Sequence, residues 1–562
     1  MSYVPQIADQ HFVLKSMPDF LMLGTDPDIV EAILEGAGAI GMGEFAPINS
    51  IGDTVGAQFA SGVVTMPDGY KTAYDAYVAG GWGSLDAPEA FGGQGLGFAM
   101  QTVVFEALGT ANMAFTLCPI LSSGAIEAIY VHGSPEHQKM YLPKLISGQW
   151  TGTMNLTEPQ AGSDVGALRS TATPNGDGSW SITGTKIFIT FGEHDLTDNI
   201  VHLVLARTPD GPAGTKGISL FLVPKFRPDA DGAFVVANDV RCASIEHKLG
   251  INASPTCVMT YGDNGDCKGW LIGPEMGGMR AMFTMMNNAR INVGSQGVQI
   301  AERATQAAIA YAADRVQGQP IIEYPDVRRM LLRMRALTQG ARALLYAAAT
   351  HVDRARMGNA EAKARVYLLT PLVKAWGTEV GCEVASLCIQ VHGGAGFIEQ
   401  TGVAQYYRDA RIAPIYEGTN GIQAADLVGR KLTSDGGAAF EALITEVRTN
   451  GRGETALMQL ADAVESTIVW MQSASNQDRL AGSAPFLEMV AVMAAGGLMA
   501  RQGQIAVAQL QSGEGDPTFL KVKVATTRFF LDHVVPEALG KTTSARSGAT
   551  GLYTLTAAEL AA

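Results

Sequence analysis

The spacing of hydrophobic residues predicts helices on both sides of a central block of strands. Before residue 150 the chain is rich in Ala and Gly, has long apolar stretches such as residues 102–117, and lacks long β-branched runs. This pattern is typical of packed helices. Within it, Pro88 and a cluster of nearby glycines predict a loop, and these glycines are Gly92, Gly93, Gly95 and Gly97.

After Trp150 the pattern changes to short apolar runs that are separated by turn residues. Four of these runs predict strands, at residues 180–183, 186–190, 200–205 and 218–223. The segments 175–178 and 229–232 carry the Asn, Asp and Gly residues that favour turns. The spacing therefore predicts a β domain of roughly 120 residues that ends near Gly273.

Helical spacing returns from Gly277 and continues to the end of the chain. One apolar stripe falls at Met330, Met334, Leu337, Ala341, Leu345 and Val352. A break rich in Gly, Ser and Asp at residues 433–437 precedes a second stripe at Leu457, Leu460, Ala461, Val464, Ile468 and Met471. The methionines of the first stripe are interpreted as core residues rather than as metal or cofactor ligands.

The order of these elements predicts a multidomain α+β fold, because 562 residues exceed one compact core. We expect a helical N-terminal region that ends at residue 150. A β-barrel-like domain at residues 151–276 and a helical bundle at residues 277–432 should follow. The last expected part is an additional C-terminal helical domain at residues 433–562.

Composition argues against several classes of function. The net charge of −14 disfavours broad attraction to nucleic acid or to an anionic membrane. The six cysteines lack C-x-x-C spacing and are interpreted as free thiols, mostly in the core, and the histidines are not spaced as a metal site. The N-terminus shows no secretory signal and the apolar run 489–500 is too short to span a bilayer. We therefore expect a cytoplasmic protein without a bound metal.

The first segment with chemical content is M-N-L-T-E-P-Q-A-G-S-D at residues 154–164, followed by K-I-F-I-T at residues 186–190. Short polar side chains and backbone amides at the end of a strand can hydrogen-bond a flat heterocycle, and Phe188 can cover its face. Taken alone, the same residues are also compatible with an ordinary turn and strand.

The second segment is R-D-A-R-I-A-P-I-Y-E-G-T-N-G-I-Q at residues 408–423. Glu417 lies at a transition from helix to loop, is followed by Gly418 and is flanked by Ile415 and Tyr416. An apolar setting raises the pKa of such a carboxyl group toward the range that is useful for a general base. The alternative is an exposed glutamate beside a helix cap.

Together, the two segments resemble the acyl-CoA dehydrogenase family, whose motifs are T-E-P-x-A-G-S-D and Y-E-G-T-x-x-I-Q. The resemblance covers about residues 36–430, and it implies an N-terminal extension at residues 1–35 before a helical N-terminal domain at residues 36–150. Residues 3–20 and the region after residue 431 resemble the longer bacterial subfamily, which includes 3-methylmercaptopropionyl-CoA dehydrogenases and broad-range fatty acyl-CoA dehydrogenases.

The resemblance implies an FAD-dependent oxidation of an acyl-CoA to a trans-2-enoyl-CoA. Glu417 would remove the proton from the α carbon while hydride moves from the β carbon to flavin N5. Electrons would pass to an electron-transfer flavoprotein. Substrates that fit the resemblance are 3-methylmercaptopropionyl-CoA and short- or medium-chain acyl-CoA.

The resemblance also implies cofactor contacts. Residues that match flavin-ring positions are Met154, Leu156, Thr157, Phe188, Ile189 and Thr190. Thr419 and Gly421 match positions near the adenine dinucleotide portion. Contacts across a subunit interface are implied for Arg315, Gln317, Gln390, Gly393 and Gly394, and they require a homodimer or homotetramer.

On the substrate side, Ser163 and Arg290 match positions that bind CoA. The family often has Asp where this chain has Asn287. Three other hypotheses remain at this point: an acyl-CoA oxidase on the same scaffold, a DNA-associated flavoprotein, and a catalytically silent scaffold. The excess of acidic over basic residues after residue 431 argues against DNA binding.

Overall fold

The computed structural model describes residues 3–562, which form two compact units. One unit contains Tyr3–Glu35 together with Arg290–Ala562, and the other contains Gly36–Ala289. The division at residues 289 and 290 falls within the long helix Gly278–Asp314.

The helices of the Gly36–Ala289 unit lie mainly before residue 150, as the pattern predicts. Their bounds are Asn49–Thr54, Tyr70–Ala79, Phe98–Ala111, Met113–His132 and Pro135–Ile146. The apolar stretch 102–117 is divided between two of them, because Asn112 is extended and its side chain caps the next helix by accepting from the Phe115 N–H at 3.1 Å. A small hairpin, Gln58–Ala60 with Val63–Thr65, was not predicted.

The predicted loop near Pro88 is confirmed. Only one short helical turn, Glu89–Phe91, interrupts residues 88–97, and Gly92, Gly95 and Gly97 all have positive φ. A Cβ on Gly93 would lie 2.0 Å from the Ala87 carbonyl oxygen, so the close backbone approach requires glycine there.

The β domain is built on a sheet of eight strands. Their bounds are Trp150–Asn155, Thr171–Pro174, Trp180–Thr190, Asn199–Arg207, Ile218–Pro224, Val240–Ile245, Thr256–Tyr261 and Lys268–Ile272. A separate hairpin pairs Phe226–Pro228 with Phe234–Ala237. The predicted strands at 180–183 and 186–190 form one continuous strand, and the last strand ends just before Gly273, as expected.

Five of these strands close into a ring, so the expected barrel-like domain is confirmed. Trp180–Thr190 pairs with Lys268–Ile272, which pairs with Ile218–Pro224, and this strand pairs with Asn199–Arg207. Thr171–Pro174 bridges the two ends of the series because it pairs with both Trp180–Thr190 and Asn199–Arg207.

Both faces of the Asn199–Arg207 strand are buried. Leu203 and Leu205 pack with the helices of residues 113–146, while Val204 and Ala206 pack inside the ring. Burial on both faces explains why this strand reads as a continuous apolar run rather than as an alternating pattern.

The other unit is helical. Its N-terminal extension forms Ile7–Ser16 and Pro18–Leu21, and the division at residues 35 and 36 falls within the helix Pro27–Ile40. The bundle helices are Gly278–Asp314, Pro325–Arg356, Ala360–His392, Val403–Ala410 and Asn420–Asp426. The C-terminal helices are Ala438–Asn450, Thr455–Ser473, Asn476–Ala481, Ser483–Ser512, Pro517–Phe529, Val535–Leu539, Thr542–Ala545 and Ala557–Leu560. A short hairpin joins Val316–Gln317 to Gln319–Pro320.

The predicted apolar stripes form the core of this unit. Every member of both stripes is buried, which confirms the two periodic patterns and the interpretation of Met330 and Met334 as core residues. All six cysteines are free thiols, and Cys382 alone among them is not fully buried.

Candidate active site

Glu417 lies in a loop between the helices Val403–Ala410 and Asn420–Asp426. The loop ends where the Thr419 hydroxyl caps the second helix by accepting from the Ile422 N–H at 3.2 Å. The Asn420 N–H donates back to the Pro414 carbonyl at 3.0 Å, which closes the loop on itself. Glu417 therefore lies in a loop that follows a helix, as the sequence predicts, and hydrogen bonds hold this loop in place.

The backbone of this turn is left-handed at two successive residues, with φ of 54° at Glu417 and 86° at Gly418. For a residue with a Cβ this conformation is strained, and such strain is concentrated at functional sites. Two side chains hold it. Arg290 donates from Nε to the Glu417 carbonyl at 3.3 Å, and Gln423 donates from Nε2 to the Gly418 carbonyl at 3.1 Å.

The Glu417 side chain is half-buried, and burial raises the pKa of its carboxyl group. The positive charges of Arg290 and Lys374 act in the opposite direction and limit the rise in pKa. Arg290 is itself buried, with 6% of its surface exposed. The pKa of the Glu417 carboxyl group is therefore set by two opposing effects, because burial raises it and two nearby cations lower it.

Arg290 has a contact that the sequence did not predict. It contacts the Glu417 loop, and burial lowers its pKa while the charges of Asp426 and Glu417 oppose that shift. These contacts give it a role in holding the turn. Its predicted contact with CoA stays a prediction.

In the β domain, the structure brings together the two segments that resemble flavin-binding motifs. Lys186 and Glu158 form a buried ion pair at 2.8 Å, and Lys186 also donates to the Leu156 carbonyl at 3.1 Å. The Ile187 N–H donates to the Thr157 carbonyl at 2.9 Å. A backbone hydrogen bond and an ion pair thus connect the segment of residues 154–164 to the segment of residues 186–190.

The side chains predicted to line the flavin ring differ in exposure. Phe188 has φ of 60° and leaves 58% of its surface exposed, whereas Met154 and Ile189 are buried. Leu156, Thr157 and Thr190 are half-buried, and Ser163 is exposed on the loop that follows. An aromatic side chain held outward by a strained backbone offers a flat apolar surface to a ligand.

The residues predicted to reach across a subunit interface form a second cluster within the helical unit. Arg315 and Gln317 are exposed on the hairpin after Gly278–Asp314, and Gln390, Gly393 and Gly394 are exposed where Ala360–His392 ends. The rings of Tyr311 and His392 stack with centroids 4.2 Å apart, which brings the ends of the two helices together.

This second cluster lies far from Glu417 within one chain. Lys374, beside the Glu417 loop, and Gln390 are sixteen residues apart on the same helix, which corresponds to about 24 Å of rise. The residues around Gly393 therefore cannot serve the Glu417 loop of their own chain by direct contact.

Several features of the helical unit fit a dinucleotide ligand. A Cβ at Gly393 or Gly394 would meet nothing within 4 Å, so their backbones are open to close approach. Thr419 and Gly421 are exposed at the start of a short helix. Within residues 3–562, Gln423 Oε1 and His392 Nε2 are buried without a hydrogen-bond partner, so both can accept from a ligand.

No group of three or more His, Cys, Asp or Glu side chains suited to a metal ion occurs among residues 3–562. Two helices, Met113–His132 and Ser483–Ser512, are long and apolar enough to cross a membrane, but 67% and 78% of their most apolar windows are buried inside the fold. Helices of protein cores pass the same test.

Sequence reasoning missed Lys374, Gln423 and the pair formed by Glu158 and Lys186. A signal was present for Lys374, because it is the single charged residue in the apolar stretch 368–378. No comparable local pattern marks Lys186, because its partner lies 28 residues away in the sequence.

Comparisons with known proteins agree with the fold and the motifs. The chain matches the acyl-CoA dehydrogenase N-terminal domain at residues 65–149, the middle domain at 153–263 and the C-terminal domain at 276–432. Residues 446–556 match the acetyl-CoA dehydrogenase C-terminal-like domain.

Full-length relatives are similar along nearly the whole chain. A 3-methylmercaptopropionyl-CoA dehydrogenase of Ruegeria pomeroyi is 47% identical, and the match covers 96% of this chain and 97% of that protein. A broad-specificity linear acyl-CoA dehydrogenase of Mycobacterium tuberculosis is 35% identical over 84% of each chain. The fold is similar to an acyl-CoA dehydrogenase from Bacillus anthracis solved with FAD, with a TM-score of 0.76, 21% identity, and coverage of 96% of this chain and 91% of that one. Four domain matches in order and a 47% identical full-length relative show that this chain belongs to the acyl-CoA dehydrogenase family.

Proposed function

We propose that this protein oxidises an acyl-CoA thioester to the trans-2-enoyl-CoA, with Glu417 as the base that removes the α proton. The observation that carries this proposal is the setting of the Glu417 carboxyl group. It is held on a strained turn, burial raises its pKa, and two cations limit that rise. A base is most effective when its pKa lies close to the working pH, and desolvation moves a carboxyl group in that direction.

When FAD is bound, it supplies the hydride acceptor. The residues of this chain position the base that removes the α proton. The α proton and the β hydride must leave together, so the carboxylate must be fixed against one face of the Cα–Cβ bond. Arg290 and Gln423 fix the turn by their hydrogen bonds to the Glu417 and Gly418 carbonyls. A positioned base of this kind contributes about 10²- to 10⁴-fold to the rate.

The backbone of Glu417 supports a second role. Its N–H makes no hydrogen bond to another group within residues 3–562, so it is free to donate to a ligand. We assign it to the thioester carbonyl oxygen, where a donor stabilises the negative charge that develops as the α proton leaves. The same residue thus acidifies the α carbon and accepts its proton.

The relatives guide the choice of substrate. One is named for 3-methylmercaptopropionyl-CoA and another for broad specificity toward linear acyl-CoA. Because the first is the more similar over the longer match, we propose 3-methylmercaptopropionyl-CoA or a short- to medium-chain acyl-CoA. We also propose a cytoplasmic homodimer or homotetramer, in which Arg315, Gln317, Gln390, Gly393 and Gly394 contact the FAD of a neighbouring subunit.

The test is the Glu417→Gln variant, which keeps the size and hydrogen bonding of the side chain but cannot accept the proton. We expect it to retain FAD and to lose at least roughly 100-fold in the rate of flavin bleaching by acyl-CoA under anaerobic conditions. The control is Glu361→Gln, an exposed glutamate in the same unit, which should bleach at the wild-type rate. Wild-type bleaching by the Glu417 variant would overturn the assignment of the base.

The electron acceptor distinguishes this proposal from an oxidase. We propose an electron-transfer flavoprotein as the acceptor. In air, without an added acceptor, substrate oxidation should then produce little hydrogen peroxide, whereas an oxidase produces one equivalent per turnover. Addition of electron-transfer flavoprotein should restore turnover.

A further inference from the structure

Lys374 is a charged residue in an otherwise uncharged and buried part of the bundle. It is the single charge in residues 368–378 of the Ala360–His392 helix, and its surface is completely buried. An apolar side chain at this position would satisfy the packing of the helix without the cost of removing an ammonium group from water. The charge itself therefore needs an explanation.

The contacts of Lys374 lead to the Glu417 loop. Its ammonium group donates to Asn420 Oδ1 at 2.9 Å. Asn420 is itself fixed on both sides, because its N–H donates to the Pro414 carbonyl at 3.0 Å and its Nδ2 donates to Glu379 Oε1 at 2.7 Å. The ammonium group is thus held against the short loop, residues 414–420, that carries Glu417.

The charge of Lys374 is not neutralised by a direct ion pair within residues 3–562. Burial lowers its pKa to about 8, and the first influence in the opposite direction is the charge of Glu417. Glu379 acts in the same sense as Glu417, while Arg290 repels the ammonium group. Glu417 and Lys374 therefore respond to one another although another residue separates them.

We propose that Lys374 is a positioning residue for the dehydrogenation, which holds a positive charge beside the Glu417 loop and thereby favours the carboxylate form of the base. This inference rests on the proposed role of Glu417. Asn420 holds the ammonium group in place, and no contact between Lys374 and the substrate is required.

The other charged groups around Glu417 define what happens when this cation is removed. Arg290, from the Gly278–Asp314 helix, is the other cation that favours the carboxylate form of Glu417. Arg290 also interacts electrostatically with Asp426. Tyr416 is adjacent, and burial raises the pKa of its phenol far above the physiological range, so it stays neutral. Without Lys374, burial is opposed by Arg290 alone, and Glu417 takes up a proton at higher pH.

The experiment compares the pH dependence of kcat/KM for the wild-type holoenzyme, Lys374→Met and Lys374→Arg. In Lys374→Met the acid limb should move to higher pH, so that activity is roughly tenfold below wild type at the acidic end and approaches it at the alkaline end. Lys374→Arg keeps the charge and should keep the limb near its wild-type position. Lys363→Met, an exposed lysine on the same helix, is the matched control.

A purely structural role predicts a different result. In that case Lys374→Met lowers kcat/KM by the same factor at every pH, and the acid limb of the pH profile stays at its wild-type position. This outcome in a folded, FAD-loaded variant would overturn the inference. If Lys374→Met does not fold, Lys374→Gln serves the same comparison with a polar side chain. A second readout needs no turnover: the carboxylic acid band that is lost in Glu417→Gln can be titrated by infrared difference spectroscopy, and its midpoint should be higher in Lys374→Met and Lys374→Gln but unchanged in Lys374→Arg.

The two proposals fail in different ways. An active Glu417→Gln enzyme would reject the proposed base, whatever the Lys374 variants do. An inactive Glu417→Gln enzyme with an unshifted limb in Lys374→Met would reject only the role of Lys374.

Discussion

Glu417 and Gly418 share a left-handed backbone conformation, but only glycine adopts it without strain. For Glu417 the cost is about 1–3 kcal/mol, which the surrounding contacts must offset. The conformation leaves the Glu417 N–H without a partner within residues 3–562. A strained turn that frees a donor beside a carboxyl group is costly for stability, and it is consistent with a catalytic role.

Gly418 tests whether the geometry of this turn matters. A Cβ at this position would lie 2.9 Å from Gln423 Nε2, and the backbone φ is positive. Gly418→Ala is therefore strained both by the close contact and by the backbone conformation. We expect a loss of kcat/KM on the order of 100-fold, because a displacement of about 1 Å in a base costs that much. Steady-state kinetics with FAD content as the reference measures it.

Gly436 provides the matched control for that prediction. It has a similar φ of 72°, but a Cβ there would meet nothing within 4 Å. Gly436→Ala should lower stability by about 1–2 kcal/mol through backbone strain and leave kcat/KM unchanged. Equal losses of activity in both variants would mean that general destabilisation, and not the turn, limits catalysis.

At the residue scale, the sequence singled out Glu417 but did not predict which side chains contact its loop. The motif around Glu417 is continuous in the sequence, so a resemblance can find it. Lys374 and Arg290 reach the loop from two other helices, and their distance from it depends on the packing of the bundle. Hydrophobic periodicity predicts which face of a helix is buried, but it does not predict which buried polar atoms meet there.

At the scale of elements, the predicted runs fall on three of the eight strands of the sheet, and two of these three strands are buried on both faces. Residues 200–205 and 218–223 lie within single strands, and their continuous apolar runs reflect that burial. The prediction divided Trp180–Thr190 at Gly184 and Thr185, whereas the pairing with Thr256–Tyr261 continues through both residues. Local composition suggested a break, and the ladder of hydrogen bonds overrides it.

The ion pair of Lys186 and Glu158 connects separate elements of the β domain. Glu158 also accepts from the Ser170 hydroxyl at 2.6 Å, so it connects three segments of the β domain. Burial acts to raise its pKa, but Lys186 and these hydrogen bonds lower it to about 2, so the pair is charged at neutral pH. Removing one partner leaves a buried charge without compensation.

Lys186→Met should therefore destabilise the β domain by about 3–5 kcal/mol and weaken FAD retention, because residues 154–164 lose their anchor. Thermal unfolding and FAD release on dilution measure the two effects. The control is Lys268→Met in the same sheet, where the pair with Asp177 is solvent-exposed and should contribute less than about 1 kcal/mol. A variant that loses stability but retains FAD as tightly as wild type would contradict the proposed role in the cofactor site.

At the scale of the whole molecule, the additions that distinguish the long subfamily are joined through one buried group of charges. Asp9 of the N-terminal extension pairs with Arg342 of the bundle at 2.6 Å and with Lys523 of the C-terminal region at 2.7 Å. Arg342 also pairs with Glu302 at 2.8 Å. The sequence predicted the extension and the C-terminal helices as separate parts, and it could not show this link, since Asp9 and Lys523 are 514 residues apart.

Asp9→Asn should lower the stability of the helical unit by about 3–5 kcal/mol, because it leaves the buried Lys523 without its carboxylate. The double variant Asp9→Asn with Lys523→Met should recover part of that loss, since it removes both charges. Denaturant unfolding followed by circular dichroism measures both, and Asp28→Asn, at an exposed position, is the control.

The pH dependence of this difference separates a charge effect from a packing effect. Burial acts to raise the pKa of Asp9, but Lys523 and Arg342 reverse this and lower it to about 2 from the usual 3.8. A carboxyl group with a lowered pKa in the folded state stabilises the fold fully above its unfolded pKa, and it loses that contribution as the pH falls through the folded value. The gap between wild type and Asp9→Asn should thus be constant near neutral pH and narrow from about pH 4 toward pH 2. A gap that stays the same over this range would mean that Asp9 acts by packing, and the extension would then be held without its charge.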